Sequence, residues 1–187
     1  DPSAVQTFSR LSAAIALTRK KASEGLYPSI DLLQSNSKMA TPGIIGQRHY
    51  DLAQKLRQTL AQYEELKDII SMLGMEQLSV QDRNVVNRAR RIERFLTQPF
   101  FATEQFSGIK GKQVSLKDAL DGCERILADE FKDYPESAFY MIGSIDEIKK
   151  KDVDKTNQDK DADGKKEDGS EDKKKVDVAA KEKVAAK

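Results

Sequence analysis

The sequence predicts a mainly α-helical fold, in which a helical bundle follows the closing elements of an α/β sheet and precedes a charged, disordered tail. Three observations predict it. Short apolar runs alternate with turn residues over 1–47, apolar residues recur at helical spacing over 48–148, and residues 149–187 contain no aromatic residue, Leu or Ile. The predicted boundaries follow these three ranges.

The segment 1–47 is predicted to contain three short elements. Residues 7–11 (TFSRL) are typical of a strand, residues 12–25 of a helix that ends at Gly25, and residues 26–33 (LYPSIDLL) of a short extended stretch. These elements are too few to make a domain. We interpret them as the last pieces of an α/β sheet whose other strands lie elsewhere.

Residues 48–148 are predicted to form a bundle of amphipathic helices. The predicted ends are Gln47 and Gly74 for the first helix, Ser79 and Pro99 for the second, and the cap Ser115 for the third. The apolar stripes are Leu52, Leu56, Leu60, Tyr63, Leu66, Ile70 and Leu73, then Val85, Ala89, Ile92 and Leu96, then Leu116, Ala119, Leu120, Cys123, Ile126 and Leu127. A last short helical patch is expected over 136–149.

The tail has a balanced charge. Of the 32 basic and 31 acidic residues of the chain, 13 and 11 lie in 149–187, which leaves 19 and 20 in the foldable part. A segment without large apolar residues cannot offset the entropy lost on ordering, so we expect it to be disordered. Its mixed signs favour a solubilising tail over a nucleic-acid-binding arm.

The single His, the single Cys and the one glycine-rich loop of the chain argue against several kinds of site. His49 and Cys123 are the only His and Cys, so the sequence predicts no internal disulfide and no zinc cluster of the usual kind. Residues 108–113 (GIKGKQ) have two residues between the glycines and Gln after the Lys, so they do not match a Walker A phosphate loop. Cys123, on an apolar stripe, is predicted to be a buried thiol.

The start of the sequence suggests a part of a larger protein. No apolar run approaches the ~18 residues of a membrane span. The chain opens at Asp1-Pro2 without an initiator Met, which is expected of a cleaved, split or truncated product.

Aromatic residues cluster where the second helix ends. Four of the seven Phe lie in residues 94–106 (RFLTQPFFATEQF), around Pro99. By composition, core packing is favoured, because aromatic side chains bury large areas. A surface for stacking a planar ligand remains the alternative.

With these motifs in view, residues 1 to about 148 resemble the C-terminal part of the catalytic β subunit of F-type ATP synthases. The blocks that carry the resemblance are GLYP, GQRHYDLA, LKDIISMLGMEQLS, NRARRIERFLTQPFF and PESAFYMIGSIDE. The resemblance implies that 1–47 end a RecA-like nucleotide-binding domain and that 48–148 form the helical domain after it.

The resemblance implies an adenine-binding aromatic box. In the family, the Tyr of G-[IL]-Y-P, the Phe of Q-P-F and a Phe six positions later hold the adenine, and these match Tyr27, Phe100 and Phe106. Phe95 and Phe101 are interpreted as packing residues. ATP or ADP is therefore the expected ligand.

Two further sites are implied by the same resemblance. Tyr50 matches a Tyr that reaches the non-catalytic nucleotide site on the α subunit, and Lys38 stands where many relatives have Arg. The acidic rotor-contacting loop, DELSEED in the family, here keeps two acids and consists of Glu76, Gln77, Leu78, Ser79, Val80, Gln81 and Asp82. Asp1 aligns with the last acid of a second rotor-facing loop.

The resemblance also implies what this chain lacks. The phosphate loop and the groups that position the attacking water lie upstream of Asp1 in the family, so no catalytic residue and no metal ligand is expected here. Mg²⁺ would be bound by residues outside the chain, and the chain alone is expected to be inactive. The implied partners are an N-terminal β half carrying the phosphate loop, the α and γ subunits, and ε.

Two other functions remain open. The first is a freestanding helical interaction or assembly module without a catalytic role. The second is an RNA-binding protein that uses the Arg residues of 83–94 and the Lys-rich tail, although the near-neutral foldable part favours a solvated, interface-pairing face. The resemblance itself implies no nucleic-acid partner and a peripheral place on an energy-transducing membrane. A plastid thylakoid is favoured over a mitochondrial inner or bacterial plasma membrane.

Overall fold

A computed structural model describes residues 2–148. The predicted disordered tail 149–187 and the predicted rotor contact Asp1 lie outside the described residues. The described residues up to Glu147 form one compact unit.

The elements follow each other in a simple order. They are α1 (Pro2–Arg10), β1 (Ala13–Leu17), α2 (Arg19–Ser23), β2 (Ile30–Ser37), α3 (Pro42–Ile45), α4 (Gln47–Leu73), α5 (Val80–Phe95), α6 (Glu104–Ser107) and α7 (Leu116–Leu127). Short 3₁₀ helices lie at Met75–Gln77, Phe101–Thr103 and Glu136–Phe139. The prediction of a mainly helical chain is confirmed for this part.

The first two predicted elements are wrong. Residues 7–10 lie at the end of α1 instead of in a strand, and Leu11 follows the helix. The predicted helix over 12–25 is β1 followed by the short α2. β1 pairs with β2 in an antiparallel ladder, from Ala13 opposite Ser37 to Leu17 opposite Ile30. The Ala-rich β1 has helical propensity, but pairing with a neighbouring strand overrides local propensity.

The third predicted element is correct in kind but displaced. The extended stretch expected over 26–33 is a strand only from Ile30, and it continues to Ser37. Before it, α2 ends at a left-handed Gly25 (φ +74°), as its predicted position at a helix end requires. The Tyr27–Pro28 peptide bond that follows is cis.

The predicted helices of the bundle are confirmed, with their caps. The Ser79 and Ser115 hydroxyls accept hydrogen bonds from the backbone N–H of Asp82 and Asp118, both at 3.1 Å. On α5 the buried residues are Val86, Ala89, Ile92 and Phe95. The buried face is therefore rotated slightly from the predicted stripe, which named Val85 and Leu96.

Two residues of the predicted apolar stripes lie outside the core. Leu73 closes α4 and Leu116 opens α7, and both are exposed. Cys123 of α7 is buried as predicted, and burial raises the pKa of its thiol to about 12.

The last predicted helical patch is mostly irregular. Only Glu136–Phe139 is helical over several residues, as a 3₁₀ turn, and Met141 adopts a positive φ of 54°, which ends any regular helix. Phe139 and Ile142 are nevertheless fully buried, so this segment is anchored in the core.

Candidate nucleotide-binding surface

The candidate site is a loop that leaves the end of α5 and returns before α7. Its base is closed by two hydrogen bonds: Lys112 N–H donates to the Pro99 carbonyl at 3.2 Å, and the Gln98 side-chain amide donates to the Lys112 carbonyl. At Gly111 the returning chain passes so close to Phe101 that a Cβ would lie 2.5 Å from its Cδ1 atom. Only glycine fits there without a shift, so the loop is held tightly.

Three aromatic side chains of this region face solvent. The exposed fractions are 41% for Phe100, 89% for Phe106 and 43% for Tyr27. Tyr27 comes from the segment between α2 and β2, but the Gln98 N–H donates to its carbonyl at 2.8 Å. The structure thus brings Tyr27 to the base of the loop that carries Phe100 and Phe106.

The two remaining Phe residues of the cluster behave differently. Phe95 is buried against α7, where a Cβ on Gly122 would lie 2.1 Å from its Cζ atom, so its predicted packing role is confirmed. The same interpretation is wrong for Phe101, which is 63% exposed. Its ring lies against Gly111 of the returning chain, and the rest of it faces solvent.

Ion pairs hold the α2 turn that precedes Tyr27. Lys21 pairs with Glu93 of α5, and both side chains are largely shielded from solvent. Lys20 pairs with Glu64 of α4 at 2.8 Å, and Lys67 pairs with the same carboxylate at 2.8 Å. Burial alone would raise the pKa of Glu64, but hydrogen bonds and charges from the two Lys outweigh it and lower the pKa to about 2.

A further ion pair lies beside the loop's return. Lys112 pairs with Glu147, whose carboxylate also accepts from the backbone N–H of Gly143 and Ser144, both at 3.2 Å. Burial opposes ionisation of Glu147, yet these donors outweigh it and its pKa is lowered. The pair joins the loop base to the C-terminal end of the described chain.

The two residues predicted for a second nucleotide site lie on different elements. Lys38 follows β2, and its ammonium donates to the Ser9 carbonyl at 2.7 Å. Tyr50 lies half-buried in the first turn of α4. Their predicted role in a nucleotide site stays a prediction.

The predicted rotor-contacting loop is the connection between α4 and α5. Glu76 and Gln77 are exposed in the 3₁₀ turn, Gln81 is exposed, and Val80 is 68% exposed. Leu78 points inward and is buried. Ser79 and Asp82 are occupied by a reciprocal cap, in which the Ser79 hydroxyl also donates to the Asp82 carboxylate at 2.8 Å. Exposed Met72 and Leu73 lie just before the loop and, like Val80, add apolar surface to a connection whose other exposed residues are polar.

The Arg residues of α5 mostly have partners within the chain. Arg88 pairs with Asp129, and Arg90 approaches Glu136 at 3.4 Å. Arg91 donates to the Lys132 carbonyl at 2.5 Å. Partners within the chain therefore take up most of this Arg face, whereas the sequence predicted a solvated, interface-pairing one.

Sequence reasoning missed Thr97 and Tyr140. Thr97 is a buried polar residue, and its hydroxyl accepts from the Met141 N–H at 2.9 Å. The Tyr140 hydroxyl donates to the Gly25 carbonyl at 2.9 Å. Both residues stand in the quoted sequence blocks, but no local pattern could indicate contacts between segments so far apart.

Residues 2–148 contain neither a candidate membrane span nor a candidate metal site. No helix there combines the length and apolar character that crossing a bilayer requires. No three His, Cys, Asp or Glu side chains in that range gather closely enough to hold a metal ion.

Sequence comparisons indicate one family. Residues 38–135 match the family described as the C-terminal domain of V and A type ATP synthase. Proteins named ATP synthase subunit beta 1 of Marinomonas sp. (strain MWYL1) and ATP synthase subunit beta 2 of Albidiferax ferrireducens are 77% and 78% identical over 151 residues. These matches cover 81% of this chain but only 31% and 29% of the relatives, so the chain spans about a third of their length.

Comparison with solved structures supports the fold. ATP synthase subunit NeqB of Nanoarcheaum equitans matches 63% of this chain and 28% of its own length, with a TM-score of 0.52 and 24% identity. The ATPase EscN of the enteropathogenic E. coli type III secretion system matches 68% of this chain and 28% of its own length, with a TM-score of 0.52 and 20% identity. At these identities the likeness concerns the fold alone.

Proposed function

The chain belongs to the family of C-terminal domains of V and A type ATP synthases, and from this premise we propose that it is part of the catalytic β subunit of a proton-translocating F-type ATP synthase. The names and high identity of the relatives support the β assignment. The F-type assignment rests on the sequence blocks around Tyr27, Phe100 and Phe106.

The proposed ligand is the adenine of ATP or ADP. The observation that carries this proposal is the Gln98–Tyr27 hydrogen bond, because it joins the segment of Tyr27 to the closed loop that exposes Phe100 and Phe106. Exposed rings on a restrained backbone suit a planar base, and stacking contributes ~1–3 kcal/mol per base in nucleic-acid sites. These rings would hold the nucleotide without taking part in chemistry.

Phosphoryl transfer needs groups that this chain does not supply. It depends on a phosphate loop, a magnesium ion and a residue that orients the attacking water. We assign these to an N-terminal β half. We assign Mg²⁺ binding to that half too, because the family resemblance implies it. ATP synthesis or hydrolysis is therefore proposed for the assembly and not for the isolated chain.

The connection between α4 and α5 is the proposed contact with the rotor. With Val80, Met72 and Leu73 exposed and few acids present, apolar packing would dominate its contact with γ. The buried Leu78 would fix the shape of the connection. Asp1 would belong to a second rotor-facing loop, and ε would be a further neighbour of the rotor.

The α subunit is the remaining proposed neighbour. Tyr50 and Lys38 would face the non-catalytic nucleotide site on α, each from its own element. The chain would thus meet an energy-transducing membrane only through the complex, and the thylakoid remains the predicted compartment.

The assembly itself provides the test. Native electrophoresis of source membranes, with mass spectrometry of the band that contains this chain, is expected to find α, γ and a sequence with a phosphate loop in the same large complex. A band that contains this chain without those partners would overturn the proposal. It would favour the freestanding interaction module, for which the exposed apolar connection between α4 and α5 would be the binding surface.

A further inference from the structure

The segment after the last 3₁₀ turn is hydrogen-bonded to both chain segments that form the aromatic surface. The Tyr140 hydroxyl donates to the Gly25 carbonyl at 2.9 Å, two residues before Tyr27. The adjacent Met141 N–H donates to the Thr97 hydroxyl at 2.9 Å. A single dipeptide therefore touches both sides of the site.

A third bond closes these contacts into a ring. Gln98, next to Thr97, donates its N–H to the Tyr27 carbonyl at 2.8 Å. The path from Gly25 to Tyr27, across to Gln98 and Thr97, and back through the Tyr140–Met141 dipeptide returns to its start. Three segments distant in sequence are thus held in one mutual arrangement, which we call the 25–97–140 clamp.

Thr97 is buried, and its hydroxyl both donates and accepts a hydrogen bond. It is 3% exposed, and its hydroxyl accepts from Met141 while donating to the Arg94 carbonyl at 2.5 Å. A buried hydroxyl that both donates and accepts has no freedom to turn away, because either movement leaves a buried polar group unpaired. Thr97 therefore fixes the end of α5 against the 140–141 dipeptide.

The dipeptide is held in an uncommon conformation. Met141 has φ +54°, which is unfavourable for a residue with a Cβ and persists only where the surroundings impose it. Phe139 and Ile142, buried on either side, anchor the segment. The Arg94 guanidinium lies 5.6 Å from the Tyr140 ring centroid and covers its face.

We propose that Tyr140 and Thr97 are positioning residues for the adenine surface: through the 25–97–140 clamp they set the backbone of Tyr27 relative to that of Phe100. This inference rests on the function proposed above. Neither residue contacts the base. A base binds more tightly to rings that are already held in place before it arrives. Rings that become ordered only on binding lose conformational entropy, and this loss lowers the affinity.

The test compares two single variants of the chain, each of which lacks one Tyr hydroxyl. Tyr140→Phe removes the donor to Gly25 and keeps the ring beneath Arg94. Tyr134→Phe is the matched control, because the Tyr134 hydroxyl has no part in the clamp. Both variants, and the unaltered protein, are purified in the native assembly. Hydrogen exchange is measured by mass spectrometry on peptides that contain the Gln98 amide.

Binding is measured alongside exchange, with ATP and with inorganic tripolyphosphate, which has no base. Tyr140→Phe is expected to speed exchange at Gln98 and to weaken ATP binding about 3- to 10-fold, the effect of losing one hydrogen bond of ordinary strength. Its affinity for tripolyphosphate is expected to stay unchanged. A general loss of structure would weaken both ligands equally. Tyr134→Phe is expected to alter none of these quantities.

Substitutions of Thr97 provide an independent test. Thr97→Ser keeps the hydroxyl and is expected to retain exchange rates and ATP affinity, whereas Thr97→Val removes it at nearly constant volume and is expected to reproduce Tyr140→Phe. Equal ATP affinity in Tyr140→Phe and Tyr134→Phe would overturn the inference. If the unaltered protein bound ATP no better than tripolyphosphate, the adenine surface itself would fail, and the exchange data would still show whether the clamp holds.

Discussion

The hydroxyl of Tyr140 lies 2.9 Å from the carbonyl oxygen of Gly25, although 115 residues separate them in the chain. This bond joins the end of the described chain to the turn that presents Tyr27. The aromatic surface is therefore supported from behind by a segment that carries none of its rings.

Phe106→Ala is predicted to weaken adenine-nucleotide binding and leave folding nearly intact. The ring is 89% exposed, so its removal takes little from the core, while the loss of stacking is expected to cost ~1–3 kcal/mol of binding. Phe101→Ala, an exposed ring in the same loop, is the control and should bind normally. A fluorescence titration with ATP in the assembly measures both. Equal affinities in the two variants would contradict the assignment of Phe106.

Gly25→Ala is predicted to destabilise the chain by ~1–2 kcal/mol. The φ of +74° is unfavourable for alanine, whereas the new methyl would meet the Tyr140 hydroxyl at an ordinary 3.8 Å, so the penalty comes from the backbone and not from a clash. Gly43→Ala is the control, because its φ is not in the left-handed region and nothing lies within 4 Å. Urea unfolding of both variants checks the difference. A larger loss for Gly43→Ala would contradict it.

What could be predicted from sequence divides between local and long-range features. The ends of α4, α5 and α7 follow from caps and terminators only a few residues away, such as Ser79 with Asp82, so they were predictable. β1 was not, because the run AAIAL suits a helix and becomes a strand only through pairing with β2, which begins 13 residues after β1 ends.

In the candidate site, too, some residues could be predicted from the sequence and others could not. The three rings were predicted through the family resemblance, and their exposure agrees with a binding surface. Thr97 and Tyr140 were not predicted, since a buried Thr and a Tyr in an apolar segment have no pattern of their own. Only the folded chain shows that the two residues meet the segments of Tyr27 and Phe100.

Gly122→Ala is predicted to destabilise the bundle by about 1–3 kcal/mol. A methyl group there would lie 2.1 Å from Cζ of Phe95, so α5 and α7 would have to separate or the ring would have to leave its rotamer. Combining it with Phe95→Leu should recover part of the loss, because the smaller side chain makes room. A double-mutant cycle by chemical unfolding measures this coupling. Simple additivity of the two changes would show that the contact is not the cause.

Glu64→Gln is predicted to remove a contribution to stability that depends on pH. The pKa of Glu64 is lowered on folding from 4.5 to about 2, so the folded state favours the ionised form. The contribution is therefore complete above pH 4.5 and is lost as the pH falls towards 2. Because the carboxylate is partly exposed, the effect should be small and should decrease with added salt.

The measurement for Glu64 is the free energy of unfolding of both proteins across that pH range. The difference between wild type and Glu64→Gln should shrink as the solution is acidified. Glu65→Gln, at an exposed neighbouring position without an ion pair in the described structure, is the control and should show no such trend. A difference that stays constant with pH would mean that the ion pairs with Lys20 and Lys67 contribute nothing.

Substitutions at Leu78 and Val80 should distinguish an effect on folding stability from an effect on the rotor contact at the connection between α4 and α5. Leu78→Ala removes a buried side chain and is predicted to destabilise the chain by about 2–5 kcal/mol. Val80→Lys is predicted to change thermal unfolding only slightly, because Val80 is exposed. In the assembly, however, Val80→Lys should reduce ATP-driven proton pumping, since a basic group replaces an apolar one at a position where the family loop carries an acid and γ is proposed to pack. Full pumping by a stably folded Val80→Lys assembly would show that the rotor does not depend on this surface.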